Sequence, residues 1–485
     1  VAGVATTHKA YDNRAEQWER CRDCSEGSDA VKQKGSKYLP MLDSHKDDNT
    51  KYQEYKLRAL FYNAASRTVA GLSGAIFQKD PAIKVNSSEM EEQIKDVTLT
   101  NEPLASFALN ATREELITGR TGVLVDMASE EVTKPRPYWL LYKAEDIINW
   151  KFTSYGGDRE LSMVVLRECV EDSKAGDEFA IEQKERYRVL RLSTSGVYTQ
   201  QIYNEKPGQE GIIDKSQREY IPGSILTPLR LGRPLDFIPF TLPWVLGAPP
   251  ILDLVDVNLA HYRASADLKH GLHFTALPTP WVSGQNDTNK KLKIGSGTAW
   301  ALDTNGRAGM LEFTGRGLGA IRTDIQDMQR MMATLGARLL EEAPHYAETA
   351  LSVSMRHSSD YATLRMLAQV VEQQLSFSLK THAWWLGKEA EPKDVQDTYV
   401  DLNKVFYDQS LTADQIRALL LALQANTISY KTFYSRLVQT GWTREGVGYE
   451  EELKDIDADP DFIGAPPPKP GAEGGAPKPA AGAVK

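Results

Sequence analysis

Cysteine is scarce in this 485-residue chain, at three residues: Cys21, Cys24 and Cys169. Three thiols cannot build a disulfide framework, which fits a reducing cytoplasm. Long apolar runs are missing too. No stretch of about 18 apolar residues occurs, and the opening VAGVATTHKAYDNRAEQWERC lacks the basic-then-apolar order of a secretory signal. The expectation is a protein neither secreted nor membrane-spanning. Positive charge is in deficit, with 57 Lys and Arg against 66 Asp and Glu and a net charge of −9. Proteins that coat DNA draw their affinity from neutralising phosphates. This balance argues against that class and leaves any nucleic acid contact weak or local.

Catalytic signatures are absent as well. There is no GxxxxGKS/T phosphate loop, no HExxH and no GxSxG. KIGSGT and GRGLG have close glycines without GxGxxG spacing after a strand, and read as turns. The CRDC stretch (Cys21, Cys24) has redox or half-zinc-site spacing, but only His8 and His45 lie near it as further ligands. An incidental pair on an N-terminal helix is expected. His261, His270 and His273 share one side of a predicted helix with Asp267, and a polar helix face is expected there rather than a metal site. Glu341 and Glu342 are adjacent, so on a helix they do not face each other. No nucleophile, base and oxyanion site assemble, and the expectations are no enzymatic activity, no metal and no cofactor.

What is present is a globular composition, 41% hydrophobic and 25% charged, with length for two to four compact units. Tyr52, Tyr55, Leu57, Leu60, Phe61, Val69, Leu72 and Ile76 fall at largely helical spacing and predict one or two amphipathic helices before the breaker KDP at Lys79 to Pro81. Another helix opens near Pro103 and stops at Gly119 and Gly122, where a β-branched run follows. From about 138 to 203 the signals are mostly strands, with a hairpin at Ser193 to Gly196. Residues 119–243 therefore predict an α+β domain with an antiparallel or mixed sheet.

After the proline-rich FIPFTLPWVLGAPP, residues 251–274 predict one long helix. Residues 276–319, rich in Gly, Asn, Thr and Lys, predict a small β module. Ile321, Ile325, Met328, Met332, Leu335 and Leu339 then predict a second long helix with a near-heptad seam. The chain goes out along one helix, builds a tip and returns. A third long helix is expected over 360–386, capped by Ser359 or Asp360, and two shorter ones over 411–441. The Pro/Ala/Gly tail from 465 is expected to be disordered.

KYLPMLDSH (37–45), FYNAASRTVAGLSGAIFQKDP (61–81), GRTGVLVDM (119–127), RPYWLLYKAEDIINW (136–150), LVDVNLAHYRASADLKHGLHFTALPTPWVSG (254–284) and ETALSVSMRHSSDYATLRMLAQVVE (348–372) resemble, in the same order, the portal proteins of tailed double-stranded DNA bacteriophages. The resemblance implies a helix-rich α+β fold with an α/β wing, a two-helix stem, a small β-containing clip and a C-terminal helical crown. On this chain that gives an N-terminal segment 1–47, wing 48–243, first stem helix 244–275, clip 276–319, second stem helix 320–342, channel loop 343–352, long wing or crown helix 353–400, crown 401–464 and disordered tail 465–485.

It also implies a homo-oligomeric ring, usually of twelve subunits, at the portal vertex of a virion assembled in the host cytoplasm. Its partners would be the terminase large subunit, the head-to-tail adaptor, the major capsid protein and double-stranded DNA passing without sequence specificity. The loop in LLEEAPHYAETALS, where Pro344 ends the helix, would carry Glu341, Glu342, His345, Tyr346 and Glu348 to the channel. Lys290, Lys291, Lys293, Arg307 and Arg316 would dock terminase or adaptor. An acidic wall would let DNA slide without sticking. Two other classes stay open: an α+β enzyme with a helical accessory domain, which requires a convergent polar pocket, and another phage subunit such as a capsid or adaptor protein.

Overall fold

Helix boundaries fall where a side chain can satisfy the backbone's orphan donors or where glycine lets the chain turn. Helix α1 (Lys9–Glu26) starts at His8, whose Nδ1 accepts from the Ala10 amide, and α3 (Asn49–Arg58) starts at Asp48, which caps the Thr50 amide. Between and after them come α2 (Ser28–Gln33), α4 (Ala64–Ile76) and α5 (Ser88–Gln93). Helix α6 (Leu104–Thr118) follows Pro103 and ends at Gly119, which takes the left-handed φ of 69° that glycine adopts most readily. The computed structural model describes residues 3–43, 48–128, 135–155, 158–174, 177–209, 218–242, 247–276, 279–283, 305–311, 316–337, 362–387, 389–404, 406, 413–425, 427–439 and 448–458. Contacts divide the chain into two units, Val1–Phe406 and Tyr407–Lys485.

The first unit is an α+β fold. Strands β1 (Ala82–Lys84) to β3 (Pro137–Lys143) flank α5 and α6, with β2 at Thr121–Met127. Strands β4 (Ile147–Tyr155), β5 (Asp158–Lys174), β6 (Asp177–Leu192), β7 (Tyr198–Glu205) and β8 (Tyr220–Leu226) form an antiparallel meander in that order. The turn expected at Ser193 to Gly196 joins β6 to β7, with Gly196 at φ 73°. A tight hairpin follows, β9 (Leu229–Arg230) and β10 (Arg233–Pro234), and then β11 (Phe240–Thr241), which pairs with the far side of β2. Every strand pairing described is antiparallel, which removes the mixed-sheet alternative for these residues.

Three long helices complete this unit: α7 (Leu252–Ala276), α8 (Arg316–Ala337) and α9 (Ala362–Leu386). Between α7 and α8 lies a two-stranded ribbon, β12 (Thr279–Ser283) with β13 (Arg307–Leu311), and after α9 strand β14 (Tyr399–Asp401) pairs with β1. The positions expected to cap α9, Ser359 and Asp360, and the tail from 465 lie outside the described residues. Helix α9 runs through the core, burying Leu364, Ala368, Val371, Leu375 and Leu379 along one stripe. Residues 3–43 are built into the same core: the Trp18 indole donates to the Thr118 carbonyl, and Arg22 bridges Glu114 and Glu145.

One helix departs from expectation. Leu57 and Leu60, counted on the buried face, are 78% and 57% exposed. The chain turns extended at Ala59, so helical phase does not carry over from α3 to α4; of the four expected positions over 52–60, Tyr52 and Tyr55 are the two that are buried.

The second unit contains α10 (Ala413–Gln424), α11 (Tyr430–Gln439) and α12 (Tyr449–Ala458), with the Tyr434 and Tyr449 rings 5.7 Å apart. The first two match the pair of helices expected over 411–441; α12 was not anticipated. No helix among the described residues is long and apolar enough to cross a membrane.

Candidate functional site

Helix α7 presents two different surfaces. Val255, Leu259, Tyr262 and Ala266, at spacings of four, three and four, are buried, and Asn258 ties the helix to α4 by donating to the Tyr62 carbonyl and accepting from the Ala65 amide. Helix α8, about 33 Å long at 1.5 Å per residue, buries only a narrow seam that includes Ile325 and Met332. Gly271 faces α8, where a Cβ would lie 2.5 Å from the movable Leu318 Cδ2. The ribbon β12–β13 sits beyond these helix ends. Thr279 pairs with Leu311 near the helices and Ser283 with Arg307 farthest out, about 13 Å along the strand. Trp281 and Met310 on the ribbon are 44% and 55% exposed.

Of the residues singled out from sequence, Arg307 is exposed at this outer end and Arg316 is the first residue of α8 rather than part of the β module. Lys290, Lys291 and Lys293 lie outside the described residues, in the connection that leaves Ser283 and returns at Asn305. Glu341, Glu342, His345, Tyr346 and Glu348 also lie outside them.

The histidine side of α7 is a polar face as expected, with Asp267 and His273 exposed, but it is not solvated throughout. His261 is buried, 3.1 Å from Gln329 of α8 and against the Tyr62 ring, while Asp267 accepts from the Tyr55 hydroxyl and His270 meets the Tyr55 ring edge-on. A buried neutral imidazole fits this: burial lowers the His261 pKa. No group of three His, Cys, Asp or Glu among the described residues is arranged to hold a metal. Cys21 and Cys24 are fully buried on α1, and burial pushes the Cys21 thiol up to about 12 and Cys24 higher still, so neither is a reactive thiolate.

A cavity of about 610 Å³ opens beside the N-terminal half of α9, with walls from Phe152, Leu161, Phe240, Leu242, Met366 and Phe377. Among the described residues, Glu115 of α6 is its one ionisable lining residue. The Thr121 hydroxyl lies 3.1 Å from Glu115 Oε2 and 2.9 Å from Gln374 Oε1, while the Gln374 amide donates to the carbonyls of Thr121 and Thr241. One hydroxyl proton cannot serve two acceptors. The network closes only if Glu115 is protonated and donates to Thr121, which then donates to Gln374. Burial, partly opposed by the Thr121 contact and the charge of Arg120, raises the Glu115 pKa to about 7.

Comparison with known proteins adds the following. Residues 250–386 match a family model described as a domain of unknown function (DUF4055), the span from α7 through α9. Among curated proteins none matches the chain. Similar solved structures include a chain in the neck of an empty gene transfer agent particle, 12% identical over 78% of this chain and 90% of that one with a TM-score of 0.36, and a chain in the virion of the native gene transfer agent particle, 12% identical over 78% and 89% with a TM-score of 0.32.

Sequence reasoning passed over Glu115, Thr121 and Gln374. A signal existed for two of them. Leu104, Ala108, Ala111 and Glu115 step by four, three and four, as do Leu367, Val371, Gln374 and Ser378, so each polar residue sits on a buried stripe. Arg230 was missed too, and its partners are remote: its guanidinium donates to the Gly387 and Glu389 carbonyls and stacks 4.2 Å from the Trp384 ring at the C-terminal end of α9.

Proposed function

We propose that the chain is a structural subunit of a phage-like particle: a portal protein that assembles into a ring of about twelve copies at one capsid vertex, closed by rotation of one heterologous contact. The channel of that ring carries double-stranded DNA in during packaging and out on ejection. The observation that carries this proposal is the helix pair. Helices α7 and α8 run out to an exposed two-stranded ribbon and back, and α8 buries a single seam, leaving Arg322, Asp327, Arg330 and Met331 exposed along its length. A helix so thinly packed gains stability when its open flank lies on the next copy, as in a ring of such pairs. The ordered sequence resemblance over 37–450 supports the same assignment.

In this ring the stem is α7 with α8, the clip is the ribbon with its connecting segment, and the segment 343–352 lines the channel with His345 and Tyr346 at its tip and Glu341, Glu342 and Glu348 beside them. These acids repel phosphate, so DNA slides without a sequence-specific grip. The clip, with the adjoining start of α8, meets the terminase large subunit during packaging and the head-to-tail adaptor afterwards, through Lys290, Lys291, Lys293, Arg307 and, at the start of α8, Arg316, with Trp281 and Met310 as apolar anchors. The major capsid protein surrounds the ring.

Negative-stain electron microscopy of the purified protein, with top views classified by rotational symmetry, tests the assignment. Rings of about a dozen subunits around a duplex-wide hole are expected, and a monomer or dimer under all salt conditions overturns it. Deleting 343–352 tests the loop: normal packaging length and retention of DNA by the assembled deletion variant would remove the channel role from this segment.

A further inference from the structure

The β9–β10 hairpin is built with an apolar tip. Its turn residues Leu231 and Gly232 both have positive φ, 51° and 75°, as a two-residue turn between right-twisted strands requires. Asn or Gly normally fills the first of these positions, because a leucine there is strained by about 1–3 kcal/mol. Here it is a leucine, 77% exposed, with Leu226 and Leu229 beside it at 60% and 57%. The hairpin is also held firmly: Arg230 grips the Gly387 and Glu389 carbonyls and stacks on Trp384. A strained leucine held outward on an anchored loop has the form of an interface anchor.

The complementary shape is the cavity on α9. It is mostly apolar, Glu115 is its single carboxyl among the described residues, and its rim carries Met366 and Phe377, 61% and 39% exposed. Its charge also matches the tip. Arg233, next to the turn, is exposed and has no carboxylate partner among the described residues. The Glu115–Thr121–Gln374 network is one proton short when the carboxyl is ionised, and an incoming guanidinium removes that deficit. Within one chain knob and socket lie apart along α9. The hairpin is fixed at Gly387, whereas the cavity is lined by Thr363 to Phe377 of the same helix; from Val370 to Gly387 the helix rises about 25 Å.

We propose that the Leu231 tip of one copy seats in the Glu115 cavity of the next, with Arg233 reaching the carboxyl, as a head-to-tail contact of the ring. This inference rests on the ring assignment, and the experiment separates the two. Cysteines are placed at Leu231→Cys and Met366→Cys in a Cys169→Ala background, where the remaining Cys21 and Cys24 are buried. The protein is assembled, oxidised, run on a denaturing gel and viewed by electron microscopy.

Rings with a ladder of covalent oligomers, absent from each single-cysteine control, are expected. Rings without a ladder, or with only an intrachain link, overturn the knob and socket and leave the ring standing. A ladder without rings keeps the contact and removes the ring; neither rings nor ladder removes both. Leu231→Asp adds a second reading: at an exposed position it should leave helical content unchanged while raising the protein concentration needed for assembly by about tenfold or more. In a double-mutant cycle, Arg233→Ala and Glu115→Gln should each raise that concentration several-fold and the pair little further. Full additivity would mean that the two groups do not meet.

Discussion

Replacing Glu115 by Gln should change how stability depends on pH. In the folded chain the Glu115 carboxyl is 5% exposed and holds its proton up to about pH 7, whereas the ordinary glutamate value of 4.5 applies once the chain unfolds. Between these values the folded state binds the proton and the unfolded state does not. Stability from this group is therefore fully present below about pH 4.5 and is lost as pH rises through 7. At 1.36 kcal/mol per pK unit the total is about 3 kcal/mol. The amide of Gln keeps the geometry, donating to Thr121 as the protonated acid does, and does not titrate.

Urea unfolding of both proteins, followed by tryptophan fluorescence at pH 5.5, 7 and 8, measures the difference. Glu115→Gln should gain on the wild type by about 2 kcal/mol between pH 5.5 and 8, roughly a thirtyfold change in the folding ratio. A difference that stays constant across this range would show that the native carboxyl is not protonated. A wild type that gains on the variant as pH rises would place an ionised Glu115 beside Arg120 and refute the hydrogen-bond assignment.

At the other end of α9, His382 accepts from the Trp139 indole at Nδ1 and faces Gln93 through Nε2, and burial, reinforced by the charge of Arg136, lowers its pKa to about 3. Its stability contribution is present above pH 6.5 and lost as pH falls towards 3, so His382→Asn should cost stability at pH 7 yet flatten the acid limb between pH 6.5 and 4.5 by about 2–3 kcal/mol in urea titrations. Gly122→Ala would drive a Cβ into the Phe240 ring and within 2.9 Å of Ile147 Cδ1, and should destabilise by about 1–3 kcal/mol. Gly271→Ala meets only the flexible end of Leu318 and gains helix propensity, so its unfolding midpoint should stay within about 1 kcal/mol of wild type. Arg230→Ala should raise amide exchange at 229–233, with smaller changes in the core strands β2 and β3; equal effects everywhere would mean that Arg230 supports the whole fold and not the hairpin.

By itself the sequence determined the elements whose signals are local. Apolar steps of three and four define α7, α8 and α9, the Pro103 to Gly119 interval defines α6, and alternating runs around Gly196 define β6 and β7. Each depends on side chains within a few residues of one another, where helix and strand periods differ plainly. Phase was lost where a short extended break intervened, as at Ala59, and the burial of His261 on the polar side of α7 was not legible locally, since its partner Gln329 lies 68 residues away. Only the tertiary structure decided the rest. It placed Thr121 between Glu115 and Gln374, closed Arg230 on carbonyls 157 and 159 residues distant, and left Leu231 uncovered. These features are set by which surfaces meet when distant segments pack, and a proton count around one hydroxyl, or a strained leucine facing solvent, exists only once they have met.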